Sequence, residues 1–304
     1  MSRAMIAAGL DLGGTKIESQ AFGPDWTLLR RRRRDTPRDY GALVAALSEE
    51  VAWATGGDGA VPVGVAQAGL VDPRTGLAFT ANLCAMGRPL PADVRRATGR
   101  PVAFVNDCRA LTLSEALLGA ARGMSPVAGL ILGTGVGGGL AVGGRLVEGP
   151  SATGGEFGHV SLPADLVAAH GLPFLRCGCG RMGCTETLIS GPGLLRVGLA
   201  LGAGAGSPEA LVAARATDPG AARAWAVWCA LVGDLLHTLT CAFDPEAIVV
   251  GGGLSRVPGL LDDLAAAQAR AQIPGFLTPR LLLAEGGDAS GARGAALFAR
   301  EHHA

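Results

Sequence analysis

The chain has 304 residues, of which 49% are hydrophobic and only 17% are charged. Basic and acidic residues number 26 each, so no excess of positive charge argues for nucleic acid or an acidic membrane surface as partner. We therefore expect a globular protein of two domains that binds small molecules or copies of itself. The apolar run before Asp11 is too short for a signal peptide, which predicts a cytoplasmic protein with reduced cysteines.

The N-terminal segment predicts a β-hairpin around a phosphate-sized turn. An apolar run over 5–10 leads into Asp11-Leu-Gly-Gly-Thr-Lys16, and residues 17–22 can return as a paired strand. Glycine backbone N–H groups can approach phosphate oxygens there, Thr15 offers a hydroxyl, and Asp11 is placed to hold Mg²⁺ or its waters. The candidate nucleotide-binding residues of this turn are Asp11, Gly13, Gly14, Thr15 and Lys16.

The next segments alternate between strand and helix patterns, as in an α/β domain. The basic run Arg30 to Arg34 is interpreted as the exposed end of a strand rather than a nucleic-acid site. The pattern predicts, in order, a helix over 40–53, a strand over 61–66, a helix over 92–98 and a strand over 102–105.

Asn106 and Asp107 follow that last predicted strand. A carboxylate at the carboxyl end of a strand lies where an α/β crevice opens, which makes Asp107 a candidate catalytic residue. An aspartate in this position is also a common helix cap, and the residues alone leave both interpretations open.

The uncharged segment from Pro126 to Gly144 is long enough for a membrane helix, but its many glycines would weaken a helix and instead favour strand, glycine turn, strand. This repeats the plan of the N-terminus and predicts a second phosphate loop. Its candidate residues are Gly133, Thr134, Gly135, Gly137 and Gly138.

The C-terminal half predicts a long apolar helix over 221–243 and a strand over 247–250. Gly252 and Gly253 follow this strand in a tight turn that would leave room for a flat ring such as adenine. A last helix over 291–303 is predicted to pack back on the first domain.

Three of the seven cysteines cluster in Arg176-Cys-Gly-Cys-Gly-Arg-Met-Gly-Cys-Thr-Glu186. Zinc binds thiolate and imidazole tetrahedrally, and His159 in Gly155-Glu-Phe-Gly-His159 is the best candidate for the fourth ligand. Four protein ligands leave no open position, so the ion would be structural; the alternative is three buried or chance cysteines. The candidate zinc ligands are His159, Cys177, Cys179 and Cys184.

Several other polar side chains could converge on a ligand rich in hydroxyl groups, because sugars need many fixed hydrogen bonds. The candidate residues for this role are Asn82, Asn106, Asp107, Glu156, His159 and Glu186.

Taken together, these motifs resemble the ROK family of sugar kinases and repressors. The resemblance runs from the first glycine turn through Asn106-Asp107, the second turn, Glu156-Phe-Gly-His159 and the cysteine loop to Gly286-Gly-Asp288. It implies an α/β protein with the two-domain actin-like ATPase (ribonuclease-H-like) fold of sugar kinases. The implied first domain comprises residues 1–120 plus 290–304, and the implied second domain comprises residues 121–289.

Within this family the pattern is most similar to the kinases of N-acetyl-D-glucosamine. That similarity implies ATP-dependent phosphorylation of the sugar's 6-hydroxyl, with Asp107 as general base, Mg²⁺ and a structural Zn²⁺ as cofactors, and a homodimer. Glucose, N-acetylmannosamine and fructose stay open as alternative substrates. A sugar-binding regulator without turnover also stays open, whereas a repressor would need a DNA-binding region before the first turn, where ten residues stand.

Two positions depart from the family pattern. The chain reads Gln67-Ala-Gly69 where a Pro-Gly pair is frequent, so the shape of one sugar-side loop is open. Arg109 stands where a small or amide residue is common, and it could alter the approach to Asp107.

Overall fold

The computed structural model describes residues 5–287 and 290–302. The chain forms two compact units, the first of residues 1–122, 139–154 and 285–304, and the second of residues 123–138 and 155–284. The predicted division placed 139–154 in the second domain; in the structure this segment groups with the first unit. Asp288 of the predicted Gly-Gly-Asp motif and His303 of the predicted last helix lie outside the described residues.

The first unit is built on a sheet with strand order β3-β2-β1-β4-β7, in which β1, β2 and β3 are antiparallel and β1, β4 and β7 are parallel. A small two-stranded sheet pairs β5 with β6. The elements from the N-terminus to residue 118 are, in chain order, β1 (Ala7–Leu12), β2 (Lys16–Phe22), a 3-10 turn (Pro24–Trp26), β3 (Leu28–Asp35), α1 (Tyr40–Thr55), β4 (Val63–Gln67), β5 (Leu70–Val71), β6 (Ala78–Phe79), α2 (Leu90–Thr98), β7 (Ala103–Asn106) and α3 (Asp107–Leu118).

The second sheet has the order β10-β9-β8-β11-β12, with β11 parallel to both β8 and β12. The boundary between the units falls within β9. The remaining elements are β8 (Val127–Leu132), β9 (Val136–Val142), β10 (Arg145–Leu146), a 3-10 turn (Phe157–His159), α4 (Ala164–His170), α5 (Glu186–Ile189), α6 (Gly191–Ala200), α7 (Pro208–Ala214), α8 (Pro219–Phe243), β11 (Ala247–Gly251), a 3-10 turn (Gly253–Arg256), α9 (Leu260–Ala271), β12 (Arg280–Leu283) and α10 (Ser290–Glu301).

Both predicted hairpins are confirmed, since β1 pairs with β2 and β8 neighbours β9. Each sheet therefore begins with a glycine-turn hairpin and continues with parallel strands, which is the repeated plan seen in the sequence. The helices have conventional ends: Asp39 caps α1 by accepting the Ala42 N–H at 2.9 Å, and Gly56 ends it in the left-handed conformation.

Helix α10 packs closely on β1, β4 and α3 through glycine. A side chain at Gly9 or Gly64 would overlap backbone atoms of α10, and one at Gly294 would overlap the carbonyl of Ala110 in α3. These three glycines therefore serve close packing of backbone on backbone. The prediction that the last helix packs on the first domain is confirmed.

The arginine run forms most of the edge strand β3, not only its exposed end. Arg31 donates to Glu18 at 2.8 Å, and Arg32 donates to Glu50 of α1 at 2.8 Å, because successive side chains of a strand face opposite sides. Arg34 pairs with Glu49 at 2.7 Å. Acidic partners thus offset much of the run's positive charge.

Helix α8 is the one described helix that is long and apolar enough to cross a membrane. Of its most apolar window, 56% is buried inside the protein, as is common for the core helix of a soluble domain. Trp228 is fully buried and donates its indole N–H to the Ile189 carbonyl at 3.1 Å. Packing inside the protein therefore explains why α8 is so apolar.

Candidate functional site

The first glycine turn joins β1 to β2 and is held from the neighbouring chain. The Gly13 N–H donates to the Lys16 carbonyl at 3.0 Å, which closes the turn. The Thr36 hydroxyl donates to the Gly13 carbonyl at 2.7 Å, and the Thr36 N–H donates to the Thr15 carbonyl at 3.0 Å. Thr36 lies far from the turn in sequence and belongs to no motif, so sequence reasoning missed its role.

Two predicted partners lie beside this turn. A side chain at Gly14 would come within 2.8 Å of the Asn82 carbonyl, so the chain around Asn82 packs directly on the turn. The Asp11 carboxylate lies against Gly291 in the first turn of α10, where a Cβ would leave no room. The positive end of a helix dipole stabilises a carboxylate in this position.

Asn106 and Asp107 stand where β7 ends and α3 begins. The cap of α3 is Asn106, whose Oδ1 accepts the N–H groups of Cys108 at 3.0 Å and Arg109 at 3.2 Å. Asn106 also donates from Nδ2 to the Gly69 carbonyl and to Asp107 Oδ1, both at 3.0 Å. Asn106 therefore serves as the cap, and the Asp107 carboxylate is not needed for that role.

The Asp107 carboxyl has an environment suited to a base. Burial raises the pKa of this carboxyl above its usual range, and hydrogen bonds from the Cys108 N–H and the Asn106 amide offset part of the rise. Both of these bonds reach Oδ1, the first at 2.9 Å and the second at 3.0 Å. A carboxylate with a raised pKa accepts a proton more readily at neutral pH.

The second glycine turn joins β8 to β9 and is tied to Glu186. The Val136 N–H donates to Glu186 Oε2 at 2.8 Å, and a side chain at Gly135 would come within 2.8 Å of the same oxygen. The Gly191 N–H donates to the Gly133 carbonyl at 2.7 Å, which fixes the start of α6 on the turn. Glu186, a predicted sugar residue, therefore lies against the predicted second phosphate loop.

Two glycines that were predicted to belong to the second phosphate loop lie outside the turn. Gly137 and Gly138 lie inside β9, beyond the turn. Where a side chain of Gly138 would stand, the Gly129 carbonyl and the Phe157 ring already lie, so packing explains this glycine.

A large cavity in the second unit borders the turn at Gly133 and Thr134. Its volume is about 780 Å³, within the range of small-molecule sites, and its walls come mainly from α7 and the 3-10 turn after β11. Gly253 lines this cavity. Gly252 has a positive φ of 88°, and a Cβ at this position would lie 2.4 Å from the Leu132 carbonyl oxygen, so only glycine fits there. A nucleoside fits a cavity of this size and apolar lining.

The four predicted zinc ligands meet in the second unit, where their ligand atoms all lie within 4.8 Å of one another. Cys179 Sγ is 3.6 Å from Cys184 Sγ, and Cys177 Sγ is 3.6 Å from His159 Nδ1. Tetrahedral zinc with bonds near 2.3 Å requires ligand atoms about 3.7 Å apart, so this donor set fits the ion. None of the seven cysteines is in a disulfide.

The cysteine loop owes its shape to two of its three glycines. Gly180 and Gly183 have positive φ values of 91° and 69°, and Gly183 lies against the Phe174 ring. Gly178 has neither a positive φ nor a neighbour within 4 Å, so the expected need for glycine there is not found. The loop closes through the Cys177 N–H, which donates to the Arg181 carbonyl at 2.8 Å.

His159 presents its two ring nitrogens to different neighbours. Its Nδ1 faces the thiols, and its Nε2 is 3.7 Å from Glu156 Oε2. Arg181 donates to the His159 carbonyl at 2.8 Å and holds this turn on the cysteine loop. An ion on Nδ1 would leave the proton on Nε2, where it can be donated to Glu156 or to a ligand hydroxyl.

Burial raises the pKa of the Cys177 thiol and, with the two neighbouring thiols, raises that of Cys184 to about 12. A bound cation lowers the pKa of a coordinating thiol and displaces its proton. Such thiols therefore suit a structural metal better than a role as free nucleophiles.

Comparison with known proteins places the chain in a family. A model described as the ROK family matches residues 7–302. An N-acetylgalactosamine kinase of Shewanella sp. (strain ANA-3) is 42% identical over 294 residues, 95% of each chain. An N-acetyl-D-glucosamine kinase of Escherichia coli is 38% identical over 302 residues, 95% of this chain and 98% of the relative.

Solved structures agree along the whole chain. The ROK hexokinase from Thermus thermophilus superposes with a TM-score of 0.85 at 34% identity and covers 99% of both chains. A ROK family glucokinase from Streptomyces griseus, solved with glucose and AMPPNP, gives 0.78 at 32% identity over 98% and 100% of the two chains. The expected two-domain actin-like ATPase fold is confirmed, and the chain belongs to the ROK family.

Proposed function

We propose that this protein is an ATP-dependent sugar kinase that phosphorylates the 6-hydroxyl of N-acetyl-D-glucosamine, giving N-acetylglucosamine 6-phosphate and ADP. The observation that carries the proposal is the Asp107 carboxyl, held at the end of a parallel strand with a raised pKa while Asn106 does the capping. The names of two relatives, each matched over 95% of this chain, support an acetamido hexose as substrate.

Asp107 is assigned as the general base. Its Oδ1 already accepts the bonds from Cys108 and Asn106, so Oδ2 is the oxygen assigned to take the proton of the 6-hydroxyl. Phosphoryl transfer depends mostly on positioning and charge neutralisation, and a well-placed base contributes about 10² to 10⁴ in rate.

The nucleotide is assigned to both glycine turns and to the cavity beyond the second one. Asp11 is proposed to hold the Mg²⁺ that neutralises the ATP phosphates, and Thr15 and Lys16 to contact them. The cavity lined by Gly253 is proposed for the adenosine part, since its volume and apolar walls suit a purine.

The sugar is assigned to Asn82, Asn106, Glu156, His159 and Glu186 together with Asp107. A structural Zn²⁺ on His159, Cys177, Cys179 and Cys184 would supply rigidity, since it leaves no coordination position open. His159 would then offer Nε2–H as a fixed donor to a sugar hydroxyl.

N-acetylgalactosamine is the second candidate substrate. The Shewanella relative named for that sugar is 42% identical, against 38% for the Escherichia coli relative named for N-acetylglucosamine. Sequence reasoning had left open glucose, N-acetylmannosamine and fructose, but not this epimer.

Comparing kcat/KM for these five sugars with Mg-ATP tests the assignment. A preference of more than tenfold for N-acetylglucosamine, about 1.4 kcal/mol in transition-state binding, is the expected result. A preference for N-acetylgalactosamine would transfer the assignment to the second candidate, and a preference for glucose would remove the acetamido group from it.

A cytoplasmic homodimer is the proposed working form. Light scattering coupled to size-exclusion chromatography at micromolar concentration tests it. A mass near twice the 30.5 kDa of the chain is expected, and a mass of one chain would contradict the dimer.

A further inference from the structure

A cysteine and a histidine lie in contact on the surface of α8, in the second unit, and neither is assigned to sugar, nucleotide or zinc. All seven cysteines belong to the described residues, and Cys241 alone is exposed. Its Sγ lies 3.5 Å from Nε2 and 3.8 Å from Nδ1 of His237, which stands one helical turn earlier on the same face. A thiol and an imidazole therefore meet where small molecules can reach them.

Gln272 determines which nitrogen of His237 carries the hydrogen. The Gln272 amide has a fixed orientation, because its Nε2 donates to the Leu277 carbonyl at 2.8 Å and its Oε1 accepts the Ile273 N–H at 2.9 Å. The same Oε1 lies 3.0 Å from His237 Nδ1. An amide oxygen only accepts, so Nδ1 carries the hydrogen and Nε2 of the neutral ring is bare. The nitrogen nearer to the Cys241 sulfur is thus the one that can take a proton.

The surroundings favour proton transfer to His237 over a thiolate formed without help. Cys241 belongs to the last turn of α8, where the helix dipole disfavours an anion. The thiolate is the nucleophilic form, so exposure alone does not make this cysteine reactive. Asp234 lies one turn before His237, and its charge attracts a protonated imidazole. A nucleophile, a base in contact with it and a third group that orients the base form the arrangement of an activated thiol.

We propose that Cys241 is a thiol modification site that reacts with a low-molecular-weight disulfide. His237 Nε2 removes the thiol proton, and the Cys241 sulfur attacks one sulfur of the disulfide. An S–S bond forms at Cys241 as the S–S bond of the reagent breaks, and the departing thiolate receives the proton from His237. Cys241 is thereby oxidised, and one half of the reagent is reduced to a thiol. The site is independent of the proposed kinase activity.

The test exposes the purified protein to glutathione disulfide at pH 7.5 and follows the adduct by intact-mass spectrometry, with peptide mapping of its position. Cys241 should be modified first, with one adduct per chain, and excess thiol should remove the adduct. Cys241→Ser should lose it. His237→Asn should slow the reaction about tenfold or more, because asparagine can still donate to Gln272 but has no basic nitrogen.

Two further comparisons separate activation from exposure. Thr238→Cys in a Cys241→Ser background places an exposed thiol on the same helix, with Asp234 and not a histidine one turn before it. This thiol should react about tenfold or more slowly than Cys241. Gln272→Leu removes the acceptor of the Nδ1 hydrogen. It should slow Cys241 severalfold in the wild type but not in His237→Asn, because its effect passes through the imidazole.

The remaining outcomes contradict the site. Equal rates for the wild type and His237→Asn, or for Cys241 and the thiol of Thr238→Cys, would show that exposure alone sets the reaction. First modification at another cysteine, or at none, would also overturn the inference. Kinase activity does not enter these rates, so failure of the proposed function would leave them unchanged.

Discussion

At the residue scale, the pair Asn106 and Asp107 shows how one short segment separates structural from chemical duties. The amide accepts the N–H groups of Cys108 and Arg109 at the start of α3, and the carboxylate beside it shares the Cys108 N–H through Oδ1, which leaves Oδ2 for the proposed chemistry. A carboxylate in the capping position would accept both N–H groups, which would stabilise its charge and lower its pKa further than the single Cys108 N–H does for Asp107. The arrangement instead keeps the pKa of Asp107 raised.

Asp107→Asn should lower kcat by about 10² to 10⁴, because asparagine cannot take the proton of the attacking hydroxyl. Steady-state kinetics with Mg-ATP and saturating sugar measures this, with the exposed Asp58→Asn as control. Full phosphoryl transfer by Asp107→Asn would refute the general-base assignment. Sugar binding with no turnover even in the wild type would favour a binding protein.

The same substitution should stabilise the protein at neutral pH. The folded pKa of Asp107 is raised above its ordinary 3.8, so the folded state binds this proton more tightly than the unfolded state does. Stability therefore falls as pH rises from about 3.8 through the folded pKa, and the whole penalty is present above it. Asparagine removes the penalty, so Asp107→Asn should have the higher Tm at pH 7.5 and little advantage at pH 4. Equal or lower Tm at pH 7.5 would contradict the raised pKa.

At the element scale, Glu115 of α3 anchors the segment that leads into α10. It is fully buried and accepts the N–H groups of Glu285 at 3.0 Å and Gly286 at 2.9 Å, and the Ser290 hydroxyl at 2.8 Å. Burial alone would raise the pKa of Glu115, but these bonds and that from the Ala120 N–H outweigh it and lower the pKa. The charged form is thus the stabilising one.

Glu115→Gln should lower the free energy of unfolding by about 3–5 kcal/mol, because an amide NH₂ group would face donors that now share a carboxylate. The stabilising contribution of the wild-type Glu115 carboxylate is fully present above the ordinary glutamate pKa of 4.5, and it is lost as the pH falls through the lower pKa of the folded state. Urea unfolding at pH 7 measures the difference. The exposed Glu246→Gln should change it by less than about 0.5 kcal/mol, and an equally small change for Glu115→Gln would show that the anchor contributes little.

The cysteine loop makes a separate prediction. Cys184→Ser should reduce the zinc content of purified protein well below one per chain and lower Tm, since a structural ion contributes directly to folding. Elemental analysis and thermal unfolding measure both effects. The matched control is Cys229→Ser in α8, a buried cysteine outside the cluster that should keep the metal. Wild-type protein without zinc would contradict the assignment.

Local pattern was enough to predict the elements whose function depends on backbone shape. Both glycine hairpins, α1, α8 and the strand before Asn106 follow from periodicity and glycine placement. Helices α4 to α7 and strand β12 lack such signals, and they depend on tertiary packing. The same limit hid Thr36, whose hydrogen bonds to the first glycine turn come from a segment that is distant in sequence.

At the scale of the whole molecule, two sheets with the same strand order each begin with a glycine-turn hairpin. This repetition was visible in the sequence because both turns are short, glycine-rich and flanked by apolar runs. The formal net charge is zero, and the arginines of β3 are paired with glutamates such as Glu49 and Glu50, so that strand carries less net positive charge than its sequence alone indicates.

The most direct test of the account identifies the product. The wild type and Asp107→Asn are each incubated with Mg-ATP and N-acetylglucosamine, and phosphorus-to-proton correlation NMR then locates the phosphate. The account predicts a phosphomonoester on C6 with the wild type and almost none with the variant. Phosphate on another carbon, or the same C6 product formed as fast by Asp107→Asn, would contradict it.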